Sequence, residues 1–157
     1  MKDMVEDFKI APIRNGTVID HITSGQALNV LKILNVNETT INSSISVAIR
    51  AKSSKGSIWK DIIKIEDREL DPKSVDKIAL IAPNATIAII RDYYVAEKYK
   101  VKLDDKVCGL ARCSNPDCIT NKGEPVETEF TVTSRDPPIL RCTYCDRVLI
   151  NISDNLI

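Results

Sequence analysis

Apolar and polar positions along the chain follow two different patterns, which divide it near residue 100. Up to that point stretches of period two alternate with stretches of helical period. Lys9–Ile13 and Gly16–Ile22 form one extended segment broken by a turn at Asn15-Gly16. Ser24 then stands as an N-cap, and Ala27, Leu28, Leu31 and Leu34 recur at helical spacing. Thr40–Ala51 alternates, with Ile41, Ile45, Val47 and Ile49 as its apolar members. Ser53-Ser54-Lys55-Gly56 is turn chemistry, and Ser57–Ile65 is a β-branched run, so the two runs predict a hairpin. Asp71-Pro72 opens a second helix, with a carboxylate cap followed by proline at the first helical position. Val75, Ile78, Ala79 and Ala82 are its stripe and Pro83 ends it. Ala85–Val95 is expected to be one last apolar strand.

The order β-α-β-β-α-β predicts an α+β ferredoxin-like fold, a single sheet with two helices on one face. Lys98–Lys102 has no pattern and is expected to be a linker, dividing a domain at 1–100 from one at 101–157. Past it the helical period disappears. Glu127–Ser134, Ile139–Cys142 and Arg147–Ile152 are expected strands, with a turn at Arg135-Asp136-Pro137-Pro138. About 50 residues of short strands bury too little apolar surface to be secure without help.

The cysteines supply that help. Cys113-Ser114-Asn115-Pro116-Asp117-Cys118 places two thiols across a loop of turn-forming residues. Cys142-Thr143-Tyr144-Cys145 places two more on a tight knuckle. Two short-range pairs separated by an excursion suit the tetrahedron of four soft ligands that zinc prefers. Cys108 lies at the same distance from Cys113 as Cys118 does. Gly109-Leu110-Ala111-Arg112 is half strand-like, however, which assigns Cys108 to the interior as a small hydrophobe. Four thiolates leave no open coordination position, so the expected zinc, one per chain, is structural. Binding of this kind supplies about 10–16 kcal/mol of apparent folding energy.

Composition narrows the classes. Lys+Arg and Asp+Glu both number 22, and aromatics make up 4%. A neutral chain with few stacking residues is not expected to hold nucleic acid. Met1–Phe8 has no apolar run and no stretch is long enough to span a membrane, so the expected setting is the cytoplasm, where five cysteines stay reduced. Neither a glycine-rich dinucleotide fingerprint nor a Walker motif occurs. His21, the single histidine, adjoins Asp20, either as a surface pair or as a site. Lys60 and Lys64 share one face of a strand, either solvated or docking anionic phosphates.

Four motifs, in order along the chain, carry a resemblance. They are Arg14-Asn15-Gly16-Thr17-Val18-Ile19-Asp20-His21-Ile22, Lys60-Asp61-Ile62-Ile63-Lys64-Ile65-Glu66, Ala79-Leu80-Ile81-Ala82-Pro83-Asn84-Ala85-Thr86, and Cys113 to Ile119 together with Cys142 to Cys145. The chain resembles the regulatory chain of aspartate carbamoyltransferase. The resemblance implies a non-catalytic, allosteric subunit in pyrimidine biosynthesis that binds CTP, UTP and ATP. It implies contact with catalytic chains through the zinc domain, self-dimerisation through the nucleotide domain, and an assembly of two catalytic trimers with three regulatory dimers. It places Asp20, His21, Lys60, Lys64 and Lys98 among the polar nucleotide-site residues. Ile10, Ala11, Ile13, Val18, Tyr93 and Val95 fall in the wall around base and ribose. Lys98 with His21 would take the triphosphate, Asp20 the ribose hydroxyls, and Lys64 the sugar or base. Backbone groups near Ile13 and Tyr93 would read the base edge. Ala11 stands where the best-known members have an acidic residue and Ala88 where they have asparagine, so effector preference does not carry over. The rival readings are a nucleic-acid-binding zinc ribbon, a metalloenzyme and a free-standing sensor of small molecules.

Overall fold

The structure is a computed structural model that describes residues 12–36, 43–52 and 59–157. The turn expected at Ser53–Gly56, the start of the Thr40–Ala51 run, and Ile10 and Ala11 lie outside the described residues. The chain divides into two compact units, Met1–Val101 and Lys102–Ile157.

In the first unit, strands β1 (Gly16–Thr23), β2 (Ile45–Lys52), β3 (Trp59–Glu66), β4 (Thr86–Arg91) and β5 (Tyr94–Lys100) form one sheet. Its order is β2-β3-β1-β4-β5 and every pairing is antiparallel. Helix α1 (Ala27–Ile33) follows β1, and α2 (Pro72–Ile81) follows β3. The first four strands have the ferredoxin-like arrangement, and β5 adds an edge to it.

Alternation along β1 builds two cores. Ile19, paired with Ile63 and Ile87, is fully buried, as are Val30 and Leu34 of the α1 region and Ile78 and Leu80 of α2. On the other face Val18, Ile62, Ala88 and Ile90 pack with Ile13, and the half-buried Ala48, Ala51 and Val95 join them. Gly16 sits at φ +143°, where a Cβ would fall 2.0 Å from the Ile65 carbonyl oxygen. Only glycine fits that close approach of β1 to β3.

Several expectations are corrected here. Ser24 does not cap α1: it lies in a turn, and Gln26 occupies the cap position without its side chain accepting from a helix N–H. Asp61 of β3 does that work instead. Its Oδ2 accepts from the Gly25 N–H at 2.9 Å and the Ala27 N–H at 3.0 Å. Val30 faces inward and Leu28 is 64% exposed, outside the stripe.

Ala85–Val95 is not one strand. Asp92 and Tyr93, at φ +52° and +70°, make the tight turn of a hairpin. The segment before β1 holds that turn: the Tyr93 N–H donates to Arg14 O at 2.9 Å and the Asp92 N–H to Asn15 Oδ1 at 3.1 Å. Consequently Lys98–Lys100 belongs to β5 rather than to an unpatterned linker.

α2 is as expected. The Asp71 side chain accepts from the Ser74 N–H at 3.3 Å with Pro72 behind it, and Ile78 to Ile81 are buried.

The second unit is a sheet ordered β6 (Lys106–Cys108), β7 (Glu129–Arg135), β8 (Pro138–Cys142), β9 (Val148–Leu149). Phe130, Leu140, Leu149, Val107 and Ile152 fill its small core. The last expected strand is only Val148–Leu149. The chain then turns through Ile152–Asn155 and returns to pair Leu156 with Ala111. Among the described residues no helix is long and apolar enough to cross a membrane.

Candidate functional site

β8 ends at Cys142, and the chain bends back at once. The Cys142 N–H donates to Arg147 O at 3.0 Å, the Asp146 N–H donates to Cys142 O at 2.9 Å, and Asp146 takes φ +64°. This knuckle carries Cys142 and Cys145. The facing loop is ordered by two asparagines. Asn115 Oδ1 accepts from the Asp117 N–H at 3.0 Å, and Asn121 Nδ2 donates to Cys113 O at 2.9 Å and Asn115 O at 2.7 Å. Cys113 and Cys118 are thereby turned toward the knuckle.

The four sulfurs lie within 4.8 Å of one another. Cys113 Sγ is 3.6 Å from Cys145 Sγ, and Cys118 Sγ is 3.8 Å from Cys142 Sγ. A tetrahedron with metal–sulfur bonds of about 2.3 Å has edges of about 3.8 Å. None of the five cysteines is in a disulfide. Burial pushes the Cys113 thiol up to about 12, and burial likewise raises Cys142. At Cys145 burial also pushes upward, but N–H donation from Arg147 and donors from its neighbours outweigh it and hold the thiol at about 7. Thr120 Oγ1 donates to Cys118 Sγ at 3.2 Å. Four converging sulfurs surrounded by N–H and O–H donors suit thiolates balanced by one soft cation. The donor set fits a metal.

Cys108 stands apart from the cluster, and the expectation that it is buried is wrong. It is exposed at the end of β6, beside the Glu129 carboxylate, while Val107 takes the inward position. On a three-residue strand, alternation rather than apolar character decides which side chain enters the core.

In the first unit the candidate residues gather on the sheet face that carries Val18. One rung runs across five strands as Ser46, Lys64, Val18, Ala88 and Lys98, and a second holds Asp20, Thr86 and Lys100. Paired residues on neighbouring strands share a face. Ile13, Val18 and Val95 belong to the apolar cluster on this face. Lys60 Nζ lies 3.0 Å from Asp20 Oδ1, and His21 Nδ1 lies 3.7 Å from Asp20 Oδ2.

Lys60 and Lys64 are not on a solvated face: they are 4% and 2% exposed. Burial pushes the Lys64 ammonium below the usual lysine range. Lys98 and His21 are exposed. Tyr93 sits in the β4–β5 turn with its N–H already bonded to Arg14 O, so that donor is not available to a base. Lys100 was missed from sequence because its strand was not expected; spacing of two from Lys98 on a strand is the signal that finds it. A cleft on the α1 side, lined by Leu28, Leu31, Lys32 and Val36, includes none of the candidate residues.

Family models match both units. Residues 8–102 match the aspartate carbamoyltransferase regulatory chain, allosteric domain, and residues 105–152 match the metal binding domain of the same chain. Among curated relatives, the aspartate carbamoyltransferase regulatory chain of Methanothrix thermoacetophila is 54% identical over 147 residues, covering 93% of this chain and 94% of the relative. That of Methanothermobacter thermautotrophicus is 54% identical over 150 residues, 94% of each. That of Thermoplasma volcanium is 50% identical over 141 residues, 90% of this chain and 91% of the relative. With both of its units matched and relatives aligned over nearly their whole length, the chain belongs to the family of aspartate carbamoyltransferase regulatory chains, regulatory rather than catalytic subunits.

Proposed function

We propose that the chain senses nucleoside triphosphates on the Val18 face of its first unit and passes the bound state to aspartate carbamoyltransferase catalytic chains in pyrimidine biosynthesis. The observation that carries this reading is the rung that sets Lys64, Val18, Ala88 and Lys98 side by side next to the Asp20–Lys60 pair. Cations at both ends of an apolar floor suit a ligand with a planar base and a polyanionic tail. Lys98 and His21 take the triphosphate, Asp20 accepts from ribose hydroxyls, and Lys64 reaches the sugar or base. CTP, UTP and ATP are the effectors.

Zinc occupies the Cys113, Cys118, Cys142 and Cys145 cluster. With all four positions filled by sulfur it holds the fold, and the second unit it stabilises is the grip on the catalytic chain. Two such chains pair through their first units, and three pairs join two catalytic trimers. An effector shifts such an assembly only by its differential affinity for two states, about 1–3 kcal/mol of coupling.

The experiment mixes the purified chain with an aspartate carbamoyltransferase catalytic trimer and follows mass and nucleotide response together. A large complex whose aspartate saturation curve moves with CTP or ATP is expected. Neither complex nor response would return the problem to a zinc ribbon or a free-standing sensor.

A further inference from the structure

Residues next to each other on β3 serve opposite faces of the sheet. Lys60 lies on the Val18 face, against Asp20. Asp61 points to the helix side and is completely buried, and its carboxylate accepts from three backbone N–H groups. Oδ2 accepts from Gly25 and Ala27, just beyond β1. Oδ1 accepts from Arg50 of β2 at 2.7 Å.

Both neighbouring strands are irregular at this level. Pairing of β1 with β3 shifts between Ile19 and Ile22, so Asp20 and His21 together oppose Ile62. Pairing of β2 with β3 shifts between Ala48 and Ala51, so Ile49 and Arg50 together oppose Asp61. Each bulge holds a non-glycine residue at positive φ, His21 at 56° and Arg50 at 57°. Such residues are strained and persist where surrounding contacts over-determine them. At His21 the local contact is its own N–H donating to Asp20 Oδ1 at 2.6 Å. At Arg50 it is Asp61.

We propose that Asp61 is a positioning residue for the effector site: its carboxylate clamps the β2 bulge on one side and the turn into α1, just beyond β1, on the other. The clamp keeps the Asp20–His21 bulge in the geometry that turns Asp20 onto Lys60. Asp61 touches no ligand; it acts through residues on the far face of the sheet. This inference rests on the nucleotide-binding reading for its functional consequence, and on the two bulges for its structural one.

The full chain is titrated with CTP by calorimetry as wild type, D61N, K60A, K98A and the two double variants that combine D61N with each lysine change. Asparagine keeps the shape but cannot accept at both oxygens. D61N alone is expected to weaken CTP about tenfold, the equivalent of one charge-assisted contact. On K60A it adds less than about twofold, because Asp20 has already lost the partner that the clamp turns it onto, and on K98A the tenfold loss persists. Equal losses on both backgrounds mean general loosening of the domain and overturn the proposal, as does an unchanged CTP affinity. Amide exchange of the ligand-free chain gives a second readout. D61N is expected to lose protection at His21 as well as at Arg50 and Ala27, and a His21 amide that stays protected overturns the clamp. A wild type that takes no CTP sinks the nucleotide reading, while exchange at His21 still decides the clamp. Should D61N not fold, R50G/D61N carries the same measurements, since glycine accepts φ +57° without strain.

Discussion

The carboxylate of Asp20 and the ammonium of Lys60 meet at 3.0 Å across β1 and β3, with 5% of the lysine side chain and 17% of the aspartate's exposed. Two opposite charges so far from water are stable as a pair and costly apart. Lys60→Met therefore leaves Asp20 uncompensated, and a loss of about 2–3 kcal/mol is expected in the denaturant midpoint of the chain. A midpoint equal to wild type would show that the pair adds nothing to the folded state.

Lys98 differs because it is exposed on the edge strand. Lys98→Ala is expected to leave stability within about 0.5 kcal/mol. It should weaken triphosphate binding by about 1.5–3 kcal/mol, ten- to a hundredfold. Calorimetry with CTP and with cytidine separates the effects, since cytidine lacks the phosphates. Equal weakening of both ligands would move the phosphate contact to another cation.

The sulfur cluster predicts one zinc per chain by elemental analysis. A mercurial, or a strong chelator in mild denaturant, should unfold residues 102–157 and leave the amide spectrum of residues 12–101 in place. In the metal-loaded chain only Cys108 is expected to react with a thiol reagent. Its reaction should be slow, because partial desolvation against its neighbours and the Glu129 and Glu127 charges hold this exposed thiol above the ordinary range. Two or more reactive thiols in the loaded chain would contradict four-sulfur ligation.

Asp71 should show its cap through pH. Hydrogen bonding from Ser74, chiefly by its side chain, holds the carboxyl below its ordinary 3.8. A carboxylate depressed on folding adds stability that is fully present above the unfolded value and lost as pH falls through the folded one. Asp71→Ala is expected to cost about 1 kcal/mol at neutral pH. The gap between variant and wild type should close progressively below pH 3.8. A gap that persists unchanged into strong acid would mean the carboxylate has no part in it.

Elements that announce themselves through local chemistry were legible before the structure. Asp71-Pro72 is a helix start by itself, and the two cysteine pairs are a metal site by spacing alone. What escaped was set by distant residues. Asp61, thirty-four positions away, decides where α1 begins, so a reading of Ser24 and its neighbours could not find the start. The β4–β5 turn contains no glycine. Asp92 and Tyr93 adopt positive φ while Asn15 and Arg14 hold their N–H groups, and neither residue type signals a hairpin within its own segment. Losing that turn hid β5, and with it Lys100. The nucleotide-site assignments came from resemblance; register then placed Val18, Lys64 and Lys98 on one rung, which spacing along the chain could not do.

The presence of β5 also bears on how the proposed effector signal would leave the first unit. Lys98 stands three residues before Val101, whose N–H is bonded to Ala85 O, and Lys102 opens the next unit. About 13 Å of chain joins Lys98, the residue proposed to reach the triphosphate, to the boundary at strand spacing. Most of that length is stitched to β4. On the proposed reading, a pull on the ammonium would travel along taut backbone, where a slack tether would absorb it.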